Sequence, residues 1–148
     1  GLGVDLPLDD ACEAAPRSSL ARPLDLGQGR VLANRFVIQP MEGWDGTPEG
    51  GPSELTRRRW RNFGRSGAAW IWGGEAVAVC PEGRANPRQM VIDEETSPAL
   101  ASLRTDLLLA ASEAGHERPF VGLQLTHSGR WSRPSVAAAP RVAFRHPL

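Results

Sequence analysis

Gln124, His127 and Arg130 put an amide, an imidazole and a guanidinium within the short stretch Gln124 to Arg130, beside the flexible Gly129. His127 could act as a base or as a metal ligand. The same three side chains could instead satisfy loop carbonyls at the end of a strand. A metal set drawn from Glu42, Glu75 and His127 has no second histidine at ligand spacing, which weighs against it. His116, next to Gly115, reads as a charge partner for a helix C-terminus.

What the chain lacks narrows the chemistry further. All 17 basic residues are arginine, and there is no tyrosine. A Schiff-base lysine, a Walker-type phosphate lysine and a tyrosine acid are therefore excluded within these 148 residues. The 17 acidic residues bring the formal charge to zero, unlike a nucleic-acid or acidic-membrane binder with its clustered basic excess. The arginine run Arg57, Arg58, Arg59 and Arg61 reads as a solvated helix face. Cys12 and Cys80 stand far apart and suit free thiols in a reducing cytoplasm. No apolar run reaches the roughly 20 residues of a membrane span. A cytoplasmic location is the expectation.

These polar residues need elements to position them. Arg35 to Met41 is a short β-branched and aromatic run closed by Pro40, a strand signature. After a Gly/Pro-rich loop, Ser53 is placed to cap a helix that runs to about Arg65, with Glu54 in its first turn and Leu55, Trp60 and Phe63 near one face. Ala68 to Val79 is almost continuously apolar, the pattern of a strand covered on both faces. A long loop, Cys80 to Glu95, leads to a second helix. Thr96 or Ser97 can cap it, Pro98 suits its first turn, Leu100, Leu103, Leu107 and Ala111 share a face, and Gly115 stops it. Phe120 to Thr126 is the third strand.

Strand, helix, strand, helix, strand is the order of parallel βαβ units. Either an open doubly wound sheet or part of a barrel would satisfy it. Met41 and Glu42, Glu75, then Gln124 and His127 all fall at or just past successive strand ends. Three loaded ends in a row favour a barrel, where every strand end meets at one mouth. Gly73 and Gly74 interrupt the second strand, and either a flat ligand or a bulge with tight packing would explain them. No Gly-x-Gly-x-x-Gly stands at a strand-to-helix turn, and Gly27 and Gly29 mark only a turn before the first strand.

Three blocks carry a resemblance. Leu32 to Met41, then Gly74 to Val79 with Glu82-Gly83-Arg84, and finally Gln124 to Arg130 resemble, in order and spacing, the opening part of the old yellow enzyme family of FMN-dependent NADH:flavin oxidoreductases. The resemblance implies an α/β fold, the N-terminal part of a TIM (β/α)8 barrel with about three strand-helix units. It implies FMN at the mouth, reduced by NADH or NADPH and reoxidised by a conjugated carbonyl compound or related alkene. By the same resemblance, Pro40, Met41 and Glu42 lie along the flavin, Ala76 approaches its carbonyl edge, and Gln124 bonds its pyrimidine portion. Trp44, His127 and Arg130 match positions near the substrate pocket, with a loop-holding role equally open to Arg130.

Two departures follow. Glu42 stands where the family often has threonine or cysteine. A carboxylate there would oppose formation of an anionic reduced ring unless burial kept it neutral, and the neutral form is the expectation. The family's carbonyl-binding pair, proton donor and phosphate site fall after the third strand, so this chain alone is expected to be inactive, with no catalytic residue and no metal ligand of its own. Residues 1–22 are expected to be a surface or partly disordered leader, and residues 23–148 an incomplete FMN-binding barrel. A homo-oligomer partner or the rest of a barrel would cover its open edge. Two other readings compete: a non-catalytic half-barrel that associates through that edge, and a metal-dependent hydrolase or lyase using Glu75 and His127.

Overall fold

Ser53 sets the first helix. Its hydroxyl accepts from the amides of Leu55 and Thr56, while the Thr56 hydroxyl accepts from the Ser53 amide, and this capping box opens α1 (Glu54–Arg65). The computed structural model describes residues 17–144, so the expected leader lies mostly outside the described residues, as does Cys12. Within it, β1 (Leu24–Asp25) and β2 (Val31–Leu32) form a small antiparallel hairpin around Gly27 and Gly29. The sequence marked only the turn, because strands of two residues have no period to detect.

The main sheet holds β3 (Val37–Ile38), β4 (Trp70–Ala78) and β5 (Phe120–Thr126), all parallel and in the order β3-β4-β5. Consecutive neighbours mean that the strands advance in one direction, as in a barrel, with no reversal of the kind an open sheet uses for its ligand. The sheet is not closed: among the described residues it is a partial α/β unit. β3 is shorter than the Arg35 to Met41 run because Gln39 onward leaves the sheet to form the mouth. α2 (Ser97–Glu113) follows Thr96 at its N-cap. After β5 comes only the 3-10 turn Gly129–Trp131, so the described chain has two strand-helix units and a third strand.

Both helices pack on one face of the sheet. Trp60, Ile71, Val77, Met90, Leu100, Leu103 and Leu107 form the core between them. Leu100, Leu103, Leu107 and Ala111 are buried as their spacing predicts. On α1 the buried positions are Thr56, Trp60 and Gly64, whereas Leu55 is 55% exposed, a correction to the expected face. Gly64 permits the helix contact: a Cβ there would lie 2.2 Å from the Leu107 carbonyl oxygen. Arg57 bridges the pair through Ser102 at 3.2 Å and Asp106 at 2.9 Å.

The reading of β4 as covered on both sides holds from Gly73 to Ala78, where every residue is buried, and is corrected at its first residues. Val37, Trp70 and Phe120 share one register level, Trp72 and Gly122 another. The Trp70 and Trp72 rings stack at 5.2 Å, and Trp72 and Phe120 are exposed, because both helices lie on the opposite side. No helix among the described residues is long and apolar enough to cross a membrane.

Candidate functional site

The mouth begins where β3 gives way to the Gln39 to Asp45 segment. The Ala76 amide donates to the Met41 carbonyl at 2.9 Å, which fixes this segment beside the tip of β4. Ala76 is in register with Gln124 on β5. Met41, Ala76 and Gln124 therefore meet at one end of the sheet, with Pro40 and Glu42 as chain neighbours. Met41 and Trp44 are each 62% exposed, Glu42 and Gln124 are exposed, Pro40 is half-buried and Ala76 is buried.

A break in β4 makes the meeting possible. The β4/β5 register slips between Trp72 and Ala76, and Gly73 takes a φ of +54° there. A Cβ at Gly73 would lie 2.7 Å from the Gln124 amide nitrogen and 3.2 Å from the Pro40 Cβ. Of the two readings of this glycine, the bulge with close packing is the one observed. Gly74, next along, lies against the Phe63 ring of α1.

His127 and Arg130 sit further along the loop after β5. The His127 Nδ1 accepts from the Gly129 amide at 3.0 Å, and the Ser128 amide donates to the Gly83 carbonyl at 2.8 Å. This ties the loop to the 3-10 turn Pro81–Gly83 that follows β4. Arg130 lies over the Trp131 ring at 5.3 Å, and no contact joins it to Met41, Ala76 or Gln124. His116 does not serve its own helix as expected: its Nε2 donates to the Arg65 carbonyl at the end of α1, 3.1 Å away.

Behind the mouth lies a charge cluster that sequence reasoning missed. Arg59 donates to both carboxylate oxygens of Asp45 at 2.9 and 2.8 Å, to the Gly74 carbonyl at 2.7 Å and to Glu75 at 2.5 Å. The second Glu75 oxygen accepts from the Gly43 amide at 2.7 Å. Glu75 is fully buried. Burial pushes its carboxyl above the ordinary range, against the pull of Arg59 and the Gly43 amide. At Asp45 burial also pushes upward, but the hydrogen bonds and charge of Arg59 win and hold the carboxyl low. Burial opposes the charge of Arg59, and its two carboxylate partners more than restore it. The solvated-face reading thus fails for Arg59 and Arg57. Arg59 lies over Phe63 at 5.8 Å on the half-buried side of α1, a placement that spacing within an all-arginine run does not disclose.

The long loop after β4 was also under-read. Asn86 and Gln89 are buried in it. The Asn86 amide donates to Glu42 and to the Gly43 carbonyl, both at 3.1 Å. Gln89 donates to the Ala76 carbonyl at 2.8 Å and to the Thr126 hydroxyl at 3.2 Å, and accepts from the Ala85 amide at 2.7 Å. Arg84, from the second motif block, is buried with one nitrogen on the Pro48 carbonyl at 2.7 Å. Glu42 is exposed, so the burial on which its neutral form was argued is absent. Glu75 has both oxygens engaged, and among the described residues no group of three His, Cys, Asp or Glu could hold a metal ion. The hydrolase reading loses its carboxylate.

No family model matches this chain, and no curated protein matches it. Solved structures do. The old yellow enzyme of Trypanosoma cruzi is 27% identical, with a TM-score of 0.57 over 77% of this chain and 28% of its own. Morphinone reductase in complex with tetrahydroNAD is 26% identical, with a TM-score of 0.56 over 77% and 28%. The old yellow enzyme homologue of Zymomonas mobilis is 27% identical, with a TM-score of 0.54 over 76% and 29%. The chain is a partial α/β unit of parallel strands joined by helices, without a closed barrel among the described residues. Its solved neighbours are old yellow enzyme homologues, and it carries the likeness of that family over 77% of its length while spanning about 28% of theirs.

Proposed function

We propose that this chain supplies the flavin-lining strand ends of an FMN-dependent oxidoreductase, within residues 23–148. The whole enzyme would pass hydride from NADH or NADPH, by way of the flavin, to an activated alkene such as a conjugated carbonyl compound. The convergence of Met41, Ala76 and Gln124 carries this reading. Likeness to morphinone reductase, whose complex holds tetrahydroNAD, supports a nicotinamide as reductant.

The residues present fit FMN. The Gln124 amide is exposed and makes no hydrogen bond to any described residue, so it offers a donor and an acceptor to a heteroaromatic edge. Met41 offers an exposed, polarisable side chain to the face of a flat ring. Bound FMN supplies the two-electron hydride chemistry, and the protein binds and orients it. Pro40 and Glu42 would flank the ring with Met41, and Trp44 would line the substrate pocket. The Gly129 amide occupies Nδ1 of His127, which leaves Nε2 for a substrate or loop group. Arg130, stacked on Trp131, would hold the rim of that pocket.

The test is a titration of the purified chain with FMN, followed by visible absorbance and flavin fluorescence. Saturable binding that Gln124→Leu weakens supports the reading; a chain that never takes up FMN overturns it. A second reading, association through an open edge, is favoured by the single partner strand of both β3 and β5 and by the exposed Trp72 and Phe120. Sedimentation velocity separates it: a concentration-independent monomer removes this reading.

A further inference from the structure

We infer that Arg59 is a positioning residue for the flavin-lining segment, acting through Asp45 and Glu75 on the backbone from Met41 to Gly43. This rests on the proposed FMN site and extends it to residues that do not touch the cofactor. The segment's backbone has three ties to the body of the fold, besides the Asn86 bond to the Glu42 side chain. The Met41 carbonyl accepts from Ala76, the Gly43 amide donates to Glu75, and the Gly43 carbonyl accepts from Asn86. Two residues on, the Asp45 carbonyl accepts from the Thr56 hydroxyl at 2.8 Å and from the Ser53 hydroxyl.

Arg59 is the hub. One planar guanidinium reaches the Asp45 carboxylate, the Gly74 carbonyl inside the β4 bulge and the Glu75 carboxylate, so helix α1, the bulge and the mouth segment are fixed to one another by a single side chain. A lysine carries the charge but cannot present donors in a fixed fork to three acceptors. The segment it fixes has few other anchors: Met41, Glu42 and Trp44 are exposed. Without Arg59, Glu75 would be a buried carboxyl with the Gly43 amide as its one partner, and the turn would be free to shift relative to Ala76.

The test measures FMN affinity and the visible spectrum of bound FMN in the full chain, at a temperature well below each variant's melting midpoint. Arg59→Met is expected to weaken FMN about tenfold and to shift the flavin absorption band, with Arg59→Lys in between. In a double-mutant cycle, Asp45→Asn should add little once Arg59 is gone, because the two act as one unit. If wild type binds FMN and both Arg59 variants bind it equally well with the same spectrum, losing only melting temperature, Arg59 is a structural residue and the inference falls. If Arg59→Met does not fold, Arg59→Lys and Asp45→Asn decide by the same criteria. Failure of wild type to bind FMN overturns the proposed function and this inference with it.

Discussion

The backbone amide of Ala76 donates to the carbonyl oxygen of Met41 at 2.9 Å. One bond of this kind joins the tip of a central strand to a segment that has already left the sheet. It exists because β4 breaks register at Gly73, which turns the strand just below its tip. Gly73→Ala therefore tests the geometry of the mouth. A methyl there meets the Gln124 nitrogen at 2.7 Å and the Glu75 carbonyl oxygen at 2.8 Å, on a backbone at φ +54°. We expect a loss of about 2 kcal/mol or more by urea unfolding. A midpoint within error of wild type would mean that the bulge is not constrained.

The core gives a contrast within one helix. Trp60 is 1% exposed and Leu55 is 55% exposed. Trp60→Ala should cost about 3 to 5 kcal/mol, by lost transfer energy and a residual cavity. Leu55→Ala should stay within about 0.5 kcal/mol. The same urea titration reads both, and comparable losses would contradict the packing.

Periodic residues made the scaffold legible. Ser53, Glu54 and the Leu100, Leu103, Leu107, Ala111 stripe placed both helices nearly to the residue, and Phe120 to Thr126 is β5 as read. The motif blocks named Met41, Ala76 and Gln124, and these three meet. What stayed hidden were contacts between residues distant in sequence. Arg59 and Glu75 lie on different elements, and Asn86 and Gln89 sit in an aperiodic loop whose partners include the Gly43 and Ala76 carbonyls, the Glu42 carboxylate and the Thr126 hydroxyl. A hydrogen bond to a distant carbonyl leaves no spacing in the sequence. Trp72 was misread for a related reason: its strand is almost continuously apolar and buried from Gly73 to Ala78, but at Trp72 the face turned away from the helices is left open.

Acid should separate the two carboxylates around Arg59. The folded value of Asp45 is held below its ordinary 3.8, so its contribution is present above pH 3.8 and is lost as pH falls through the folded value. The gap between wild type and Asp45→Asn should therefore close on the acid side of pH 3.8. Glu75 has the opposite sign. With its folded value raised, its contribution is full below its ordinary 4.5 and is lost as pH rises through the folded value. Wild-type stability relative to Glu75→Gln should thus fall as pH rises above 4.5. Urea midpoints from pH 3 to 7 check both, and parallel trends for the two variants would refute the assignment.

Gln89 braces the mouth from inside. It is fully buried and serves the Ala76 carbonyl, the Thr126 hydroxyl and the Ala85 amide at once. Gln89→Leu keeps the volume but leaves buried groups unpaired, so a loss of about 2 kcal/mol is expected. Amide hydrogen exchange should also quicken at Ala85, whose donor loses its acceptor. Unchanged protection there would argue that another group satisfies it.

Gln124 is the counterpart that should separate function from stability. It stands in register with Ala76, but its side chain is exposed and bonds to no described residue, so nothing in the fold depends on the amide. Gln124→Ala should leave the urea midpoint within about 0.5 kcal/mol of wild type. If the amide holds the edge of FMN, the same change removes one polar contact and should weaken flavin affinity by about tenfold, the equivalent of roughly 1.4 kcal/mol. Loss of stability with unchanged flavin affinity would make Gln124 a fold residue and remove the donor on which the flavin reading relies.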